Sequence, residues 1–447
     1  MSASLEQLLR DARIDLVLSR IEKDESVIKE VIQNVESNIR SVKFNSILVL
    51  GEIGEKSGSN AVPVITRCLK DDDWSIRREA ARSLGKIGPL SEPAITELSS
   101  LISDEESTIR LAIVSSLGKI GKASPESINT LKKGLKDKNE LVRAEAAKAI
   151  GLFGAEAFDL IPDLMNSLKD PNWIVRVSSA HSISDIGKGT VKTIPTLIQA
   201  LEDRDWRVRY RVVDTLTEIG EPSISGLLNV LSHKNKVVRK GAVEALGELG
   251  FEDPKIIDAL SIMLKDKKED VRGKAADSLR SIGKKAVPSL IQALQTSKSK
   301  MSVVIISSIG GIGLDASGAI PQLVSFLNNK SKIKVSIART LGKIGLNSSE
   351  AVEGLKQLLY DPKPKVRREA ALALGKIGNY AESAVDGLLY LLNDKKPDVR
   401  WRATEALGNI GINNPKIISS LQLMIKDECD YVCESADDAI DKITEGH

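Results

Sequence analysis

A block of about 33 residues recurs along nearly the whole chain, and that period constrains the fold more than any other feature. DDDWSIRREAARSLGKIG, ending at Gly88, returns as DKNELVRAEAAKAIGLFG at Gly154, DPKPKVRREAALALGKIG at Gly378 and DKKPDVRWRATEALGNIG at Gly411. Taking the last glycine of each block as a register mark gives Gly54, Gly88, Gly121, Gly154, Gly187, Gly220, Gly250, Gly283, Gly313, Gly345, Gly378 and Gly411, spaced by 30 to 34 residues. A thirteenth block, DECDYVCESADDAIDKIT, keeps the register with Thr444 in place of the glycine. Each block reads as two helices. The first often opens on proline, as in IPDLMNSLKD from Ile161 and IPTLIQALED from Ile194, where a missing N–H loses no hydrogen bond. The second runs from a Val-Arg or Ile-Arg pair to Gly-x-Ile-Gly, with Ala80, Ala81, Leu84 and Ile87 on one face and Gly88 as a left-handed cap. Neither helix can bury its apolar face alone, but stacked hairpins share a core, so the sequence predicts one continuous all-α array, an α-solenoid.

Composition agrees. Of 447 residues, 42% are hydrophobic and only 3% aromatic, which suits cores of stacked Ala, Ile, Leu and Val and excludes disorder. Three cysteines make no disulfide framework. No apolar run approaches the roughly 20 residues of a membrane helix, and the N-terminus is charged where a signal peptide is apolar. A soluble, cytoplasmic chain without a membrane partner is expected. The 64 basic and 61 acidic side chains nearly balance, so net charge selects no partner.

The iterated pattern of Asp, Arg, paired alanines and Leu-Gly-x-Ile-Gly resembles the HEAT repeat, in particular the short variety named after the phycobilisome lyases. The resemblance implies an armadillo-like superhelix of about 13 hairpins: an N-terminal capping helix in residues 1–24, twelve repeats in 25–411 and a capping repeat in 412–447. It also implies second helices lining a concave groove, and binding of other macromolecules. Within 1–24, Leu5 to Ile21 reads as one helix.

Two template positions carry charge. An aspartate lies seventeen residues before the register glycine, as Asp71, Asp104, Asp137, Asp170, Asp203, Asp266, Asp361, Asp394 and Asp427. An arginine lies eleven before it, as Arg77, Arg110, Arg143, Arg176, Arg209, Arg239, Arg272, Arg367 and Arg400. Because each block supplies acid and base together, a ladder tying one repeat to the next is favoured over a phosphate-binding row. Trp74, Trp173 and Trp206 share one position, fourteen before the glycine, which favours packing against the next repeat over stacking on a ligand.

Positions that the template leaves open carry the information about a partner. On the second helices these form a stripe ten, nine, six and two residues before the glycine. The stripe is basic at Arg78, Arg82, Lys86, Lys119 and Lys148, acidic at Asp185, Asp214, Glu218, Glu244, Glu248 and Asp277, then basic at Arg339, Lys343, Arg368, Lys376 and Arg402. The acidic run could hold a basic peptide or cations; alternatively it is a solvated face paired within helices, Lys240 with Glu244 and Lys274 with Asp277. The ninth block departs most from the template: Met301 and Ser302 replace Val-Arg, Thr296 replaces the aspartate, and Val303 and Val304 are apolar where other blocks are polar. With Val335 and an exposed Trp401 they form a candidate docking patch, or else mark a repaired repeat or a bend.

Residues 251–400 hold 25 basic against 16 acidic side chains, which keeps nucleic-acid binding open as a second reading. Catalytic signals are sparse. His181, His233 and His447 are scattered, Cys429 and Cys433 lack a second metal-binding pair, and there is no phosphate loop. Deoxyhypusine hydroxylases hold iron with His-Glu pairs, and the chain has no His-Glu dipeptide. Bilin lyases of the phycobilisome group share mostly the repeat and remain a third reading. The sequence therefore predicts a scaffold that binds protein without cofactor, metal or catalytic residue.

Overall fold

The computed structural model describes residues 3–187, 191–297, 299–328 and 333–445; His447 lies outside them. The chain is 81% helical, with no strand among the described residues. It forms two compact units, Met1–Val230 and Leu231–His447, where the period alone predicts one continuous array. Both are built in the same way from stacked helical hairpins, and the all-α solenoid is the fold. The division falls inside the seventh repeat, which is short and carries His233 at the aspartate position.

In the first unit the second helices are Arg40–Glu52, Trp74–Ile87, Ser107–Ile120, Glu140–Leu152, Trp173–Ile186 and Trp206–Ile219; in the second they are Lys236–Leu249, Glu269–Ile282, Ser299–Ile312, Lys334–Ile344, Pro364–Ile377, Pro397–Ile410 and Asp430–Glu445. Trp74–Ile87 shows why they form. Asp73 caps the start by accepting from Ser75 N–H at 2.8 Å, and Gly88 ends the helix at φ +75°. Ala80, Ala81, Leu84 and Ile87 are fully buried, and a leucine in that position contributes about 2 kcal/mol. Gly88 has ψ −138° and so leaves the left-handed helical region that the sequence suggests, whereas Gly121 occupies it at φ +74°, ψ +16°.

The N-terminal segment is two helices, Leu5–Arg10 and Ile14–Lys23, instead of one. Ala12 takes φ +53°, and the N–H groups of Ala12 and Arg13 bond to Leu9 and Leu8 carbonyls at 3.3 and 2.9 Å, a Schellman stop formed without glycine. A second correction concerns apolar length. Lys300–Ser325 is long and apolar enough, by length and composition, to cross a membrane. In the fold it comprises Ser299–Ile312 and Ile320–Ser325, joined by the 3-10 segment Gly313–Ala319, and their inward residues Ile305, Ile306, Ile309 and Leu323 are buried among neighbouring repeats.

Successive second helices lie close because small residues face each other. A Cβ on Gly85 would fall 2.8 Å from Ser116 Cα, and one on Gly247 would fall 2.8 Å from Ser278 Cα. At this crossing a hydroxyl donates to a carbonyl of the preceding second helix: Ser83 to Ile47, Ser116 to Ala81, Ser182 to Ala147, Ser278 to Val243 and Thr340 to Ile306, at 2.6 to 3.0 Å. Each bond satisfies a buried hydroxyl and fixes the spacing of two repeats.

The charged template residues form rungs. Arg110 donates from Nε and Nη2 to both Asp137 oxygens at 2.6 and 2.9 Å, and from Nη1 to the Asp104 carbonyl of its own repeat at 2.8 Å. Asp137 Oδ1 also accepts the Asn139 N–H at 2.8 Å, closing the turn before the next helix. Arg77–Asp104, Arg143–Asp170, Arg176–Asp203, Arg239–Asp266, Arg367–Asp394 and Arg400–Asp427 repeat the pairing at 2.6 to 3.0 Å. Lysines serve in two further rungs, Lys43–Asp71 and Lys334–Asp361, both at 2.9 Å. Arg209 and Arg272 keep the bond to their own repeat, to the Asp203 and Asp266 carbonyls at 2.8 Å. In the last repeat Cys433 stands at the arginine position, and its thiol reaches the Asp427 carbonyl at 3.2 Å.

Two outcomes test this packing. Gly247→Ala forces Ser278 aside and should destabilise the second unit by about 1–3 kcal/mol, while Gly273→Ala, a helical site with nothing within 4 Å, should stabilise it by about 0.5–1 kcal/mol; denaturant midpoints followed by circular dichroism decide. Asp137→Asn keeps the turn but leaves Arg110 buried without its counter-charge, at a cost of about 3 kcal/mol at pH 7. Burial raises the Asp137 pKa, but the hydrogen bonds from Arg110 and the Asn139 N–H, with the nearby positive charge of Arg110, together outweigh it and leave the carboxyl below its ordinary value. Its contribution is therefore complete above the unfolded pKa and fades as the folded group protonates, so the gap between the two proteins should close as pH falls below about 4. A gap of constant size across that range would contradict the rung.

Candidate functional site

With the rungs at the turns and the small residues between helices, the open positions are left along the outer face of the second helices. In the first unit this face begins basic. Arg78, Arg82, Lys86 and Lys119 converge on a cleft of about 380 Å³ whose floor includes Leu111 and Ala112. The Arg78 guanidinium lies 5.0 Å over the Trp74 ring, and Lys86 Nζ is 2.6 Å from Glu52 Oε1 of the preceding repeat. Beneath them Glu79 is only 2% exposed, with Arg82 Nη1 at 3.7 Å from its Oε2. Lys148 Nζ stands 3.7 Å from Glu145 Oε2. Further on the face turns acidic: Asp185 is exposed, 3.7 Å from His181 Nε2; Asp214 lies 3.5 Å from Arg211; Glu218 is exposed and accepts a short hydrogen bond from Ser184.

In the second unit the acidic residues are linked differently from the sequence expectation. Lys274 reaches across to Glu244 of the preceding repeat at 2.6 Å instead of pairing with Asp277, which meets Arg280 of its own helix at 3.2 Å. The cause is the close helix spacing. The residue nine before the glycine comes opposite the residue six before the preceding glycine, as also in Ser115–Glu145 at 2.8 Å and Arg339–Glu369 at 2.9 Å. Glu248 is exposed.

Of the apolar candidates, Val303 and Val335 are half-buried and Val304 is 37% exposed. Trp401 is not the open aromatic that its position suggests: its ring is edge-on to Tyr431 at 5.7 Å, and Arg402, paired with Glu405, lies 3.7 Å over it. Tyr431 belongs to the next repeat, so the sequence around Trp401 gives no hint of this cover. Arg368 is held between Glu369 and Asp398 at 3.8 and 3.7 Å. Of the earlier tryptophans, two depart from expectation in the opposite sense and Trp173 follows it. Trp74 and Trp206 are 45% and 64% exposed, and Trp173 packs on the next repeat through the Arg207 guanidinium, 3.3 Å over its ring.

Reactive groups do not gather. Among the described residues no three of His, Cys, Asp and Glu are grouped to hold a metal. Cys68 is buried, which pushes its thiol up to about 11. Several lysines of the basic segment sit exposed away from the second-helix face, Lys267 and Lys268 in the bend before a second helix and Lys284 and Lys285 in the 3-10 segment Gly283–Ala286.

Comparison with known proteins bears on the fold. A family model described as HEAT repeats matches residues 28–118, 90–151, 128–194, 161–225, 224–307 and 352–440. No curated protein matches the chain in sequence. Among solved structures, Kap121p bound to RanGTP superposes with a TM-score of 0.60 at 16% identity, over 94% of this chain and 52% of that one. Kap95p in complex with RanGDP gives 0.50 at 14% identity, over 98% of this chain and 69% of that one. The chain thus spans about half of the Kap121p length. With most of its length matched by the family model, and hairpins, rungs and register running through both units, the chain belongs to the HEAT-repeat family.

Proposed function

We propose that this chain is a non-enzymatic scaffold that binds a protein partner on the second-helix faces of its HEAT hairpins, and that its 33-residue units are of the short, phycobilisome-lyase-like variety. The observation that carries the reading is the division of labour on the second helices. Core and rung positions are occupied by residues that hold repeats together, while the outer face in each unit carries side chains the fold does not require. In the first unit that face runs from Arg78, Arg82 and Lys119 to Asp185 and Glu218; in the second it runs from Glu248 through Val303 and Val304 to Arg368. A patterned face of this kind fits a partner of complementary charge with apolar anchors, since charge sets orientation and rate while buried apolar groups hold the complex. Kap121p and Kap95p, solenoids of related fold, are solved with RanGTP and RanGDP bound, which supports a protein as the partner class.

The test is capture of partners by the intact protein and by face variants. Glu218→Lys with Glu248→Lys, and separately Val303→Ser with Val304→Ser, should each lower recovery of a specifically captured protein by about tenfold or more, with helicity by circular dichroism unchanged. Capture at wild-type levels by both folded variants would remove the reading.

A further inference from the structure

We infer that the eighth and ninth repeats form a carboxylate-binding site at their turn edge, where an acidic residue of a bound peptide takes the part that an aspartate plays in the other rungs. This site lies apart from the second-helix face and is independent of the function proposed for it.

Seven arginine rungs define what the arginine position takes: Nε, often with Nη2, on the carboxylate of the next repeat, and in all seven Nη1 on a carbonyl of its own. Arg272 is built and held in the same way, its Nη1 on the Asp266 carbonyl at 2.8 Å. The next repeat, however, offers Thr296 at the aspartate position. The Thr296 hydroxyl turns back to the Ala293 carbonyl at 3.4 Å, and among the described residues Arg272 has no carboxylate partner. The arginine position of the ninth repeat has changed together with it: Ser302 stands there, 2.7 Å from Ser297.

The result is a cavity of about 800 Å³, within the range of pockets that hold small ligands. Arg272, Lys265 and Lys300 give it positive charge, and the nearby carboxylate of Asp266 is already engaged by Arg239 at 2.7 and 2.9 Å. Leu264, Met301 and Ile305 supply an apolar wall. A guanidinium anchored through Nη1 keeps Nε and Nη2 for a carboxylate, a planar, two-bond fit, and half-burial of Arg272 makes that contact stronger than it would be in open water. The apolar wall favours a carboxylate flanked by apolar residues over a free anion. The ligand class is therefore a peptide bearing Asp or Glu beside Leu, Ile or Val, or ending in a free carboxylate after such a residue.

Ligand-observed NMR with the full-length protein tests this. The probes are acetyl-Leu-Asp-Leu-amide, its Asn counterpart, and acetyl-Leu-Leu-Leu with a free C-terminus. The Asp peptide should bind at least about tenfold more tightly than the Asn peptide, and the third probe separates a side-chain source from a terminal one. Thr296→Asp should restore the missing rung, so it should raise the thermal midpoint and abolish peptide binding in a protein that is better folded than the wild type. Arg272→Gln should abolish binding as well. Equal binding of Asp and Asn peptides, no binding by either carboxylate probe at about 10 mM, or binding that survives Thr296→Asp would each overturn the site.

Discussion

Each rung of this molecule asks three things of one aspartate. Its carboxylate closes the turn ahead of the second helix and receives the guanidinium, or in two rungs the ammonium, of the preceding repeat, and its backbone carbonyl steadies the guanidinium of its own repeat or, in the last, the Cys433 thiol. The pair is buried, so its strength depends on complete satisfaction of both groups: an arginine left alone in that setting costs more than the pair contributes. That explains the company the residues keep. Asp266 brings Arg239 to it while its carbonyl fixes Arg272, and the same linkage passes from Arg110 to Asp137 to Arg143 and Arg176. Together with the glycine and serine crossings, the rungs make the interface between repeats, more than the single hairpin, the unit of stability.

Because turns and crossings carry the cohesion, the outer face of the second helices is free to vary. The cross-links seen there, Lys274 with Glu244 and Arg339 with Glu369, are partly exposed and add little stability. Their sign differs from one pair to the next, as it would if a partner and not the fold selected them. The same logic isolates Arg272, a rung residue that faces Thr296 where other rungs have an aspartate and that keeps its own anchoring.

Much of this was legible in the sequence, for a physical reason. A period of fixed length makes each residue's neighbour in the next repeat predictable, so the hairpins, the buried alanines and the Asp/Arg partnership could be read from spacing. What could not be read depends on geometry that the period does not contain. The break at Ala12 needs a left-handed residue that the sequence does not signal with glycine. That Glu244 draws Lys274 from the next repeat follows from how closely two helices approach. Trp401 is covered by Tyr431, an aromatic from another repeat outside the template, and Trp74 and Trp206 stand open although they share a template position with Trp173. The division into two units at Val230 lies where spacing and the rung aspartate both lapse, a coincidence visible in sequence only after the structure is known.

Which face of the hairpins meets a partner decides the function. Lysine-directed cross-linking of a captured complex, read by mass spectrometry, reports this directly. Links should concentrate on the second-helix lysines Lys86, Lys119, Lys148, Lys343 and Lys376. Links confined to first-helix lysines such as Lys132, Lys133, Lys255 and Lys356, with the second-helix set unmodified by the partner, would contradict it.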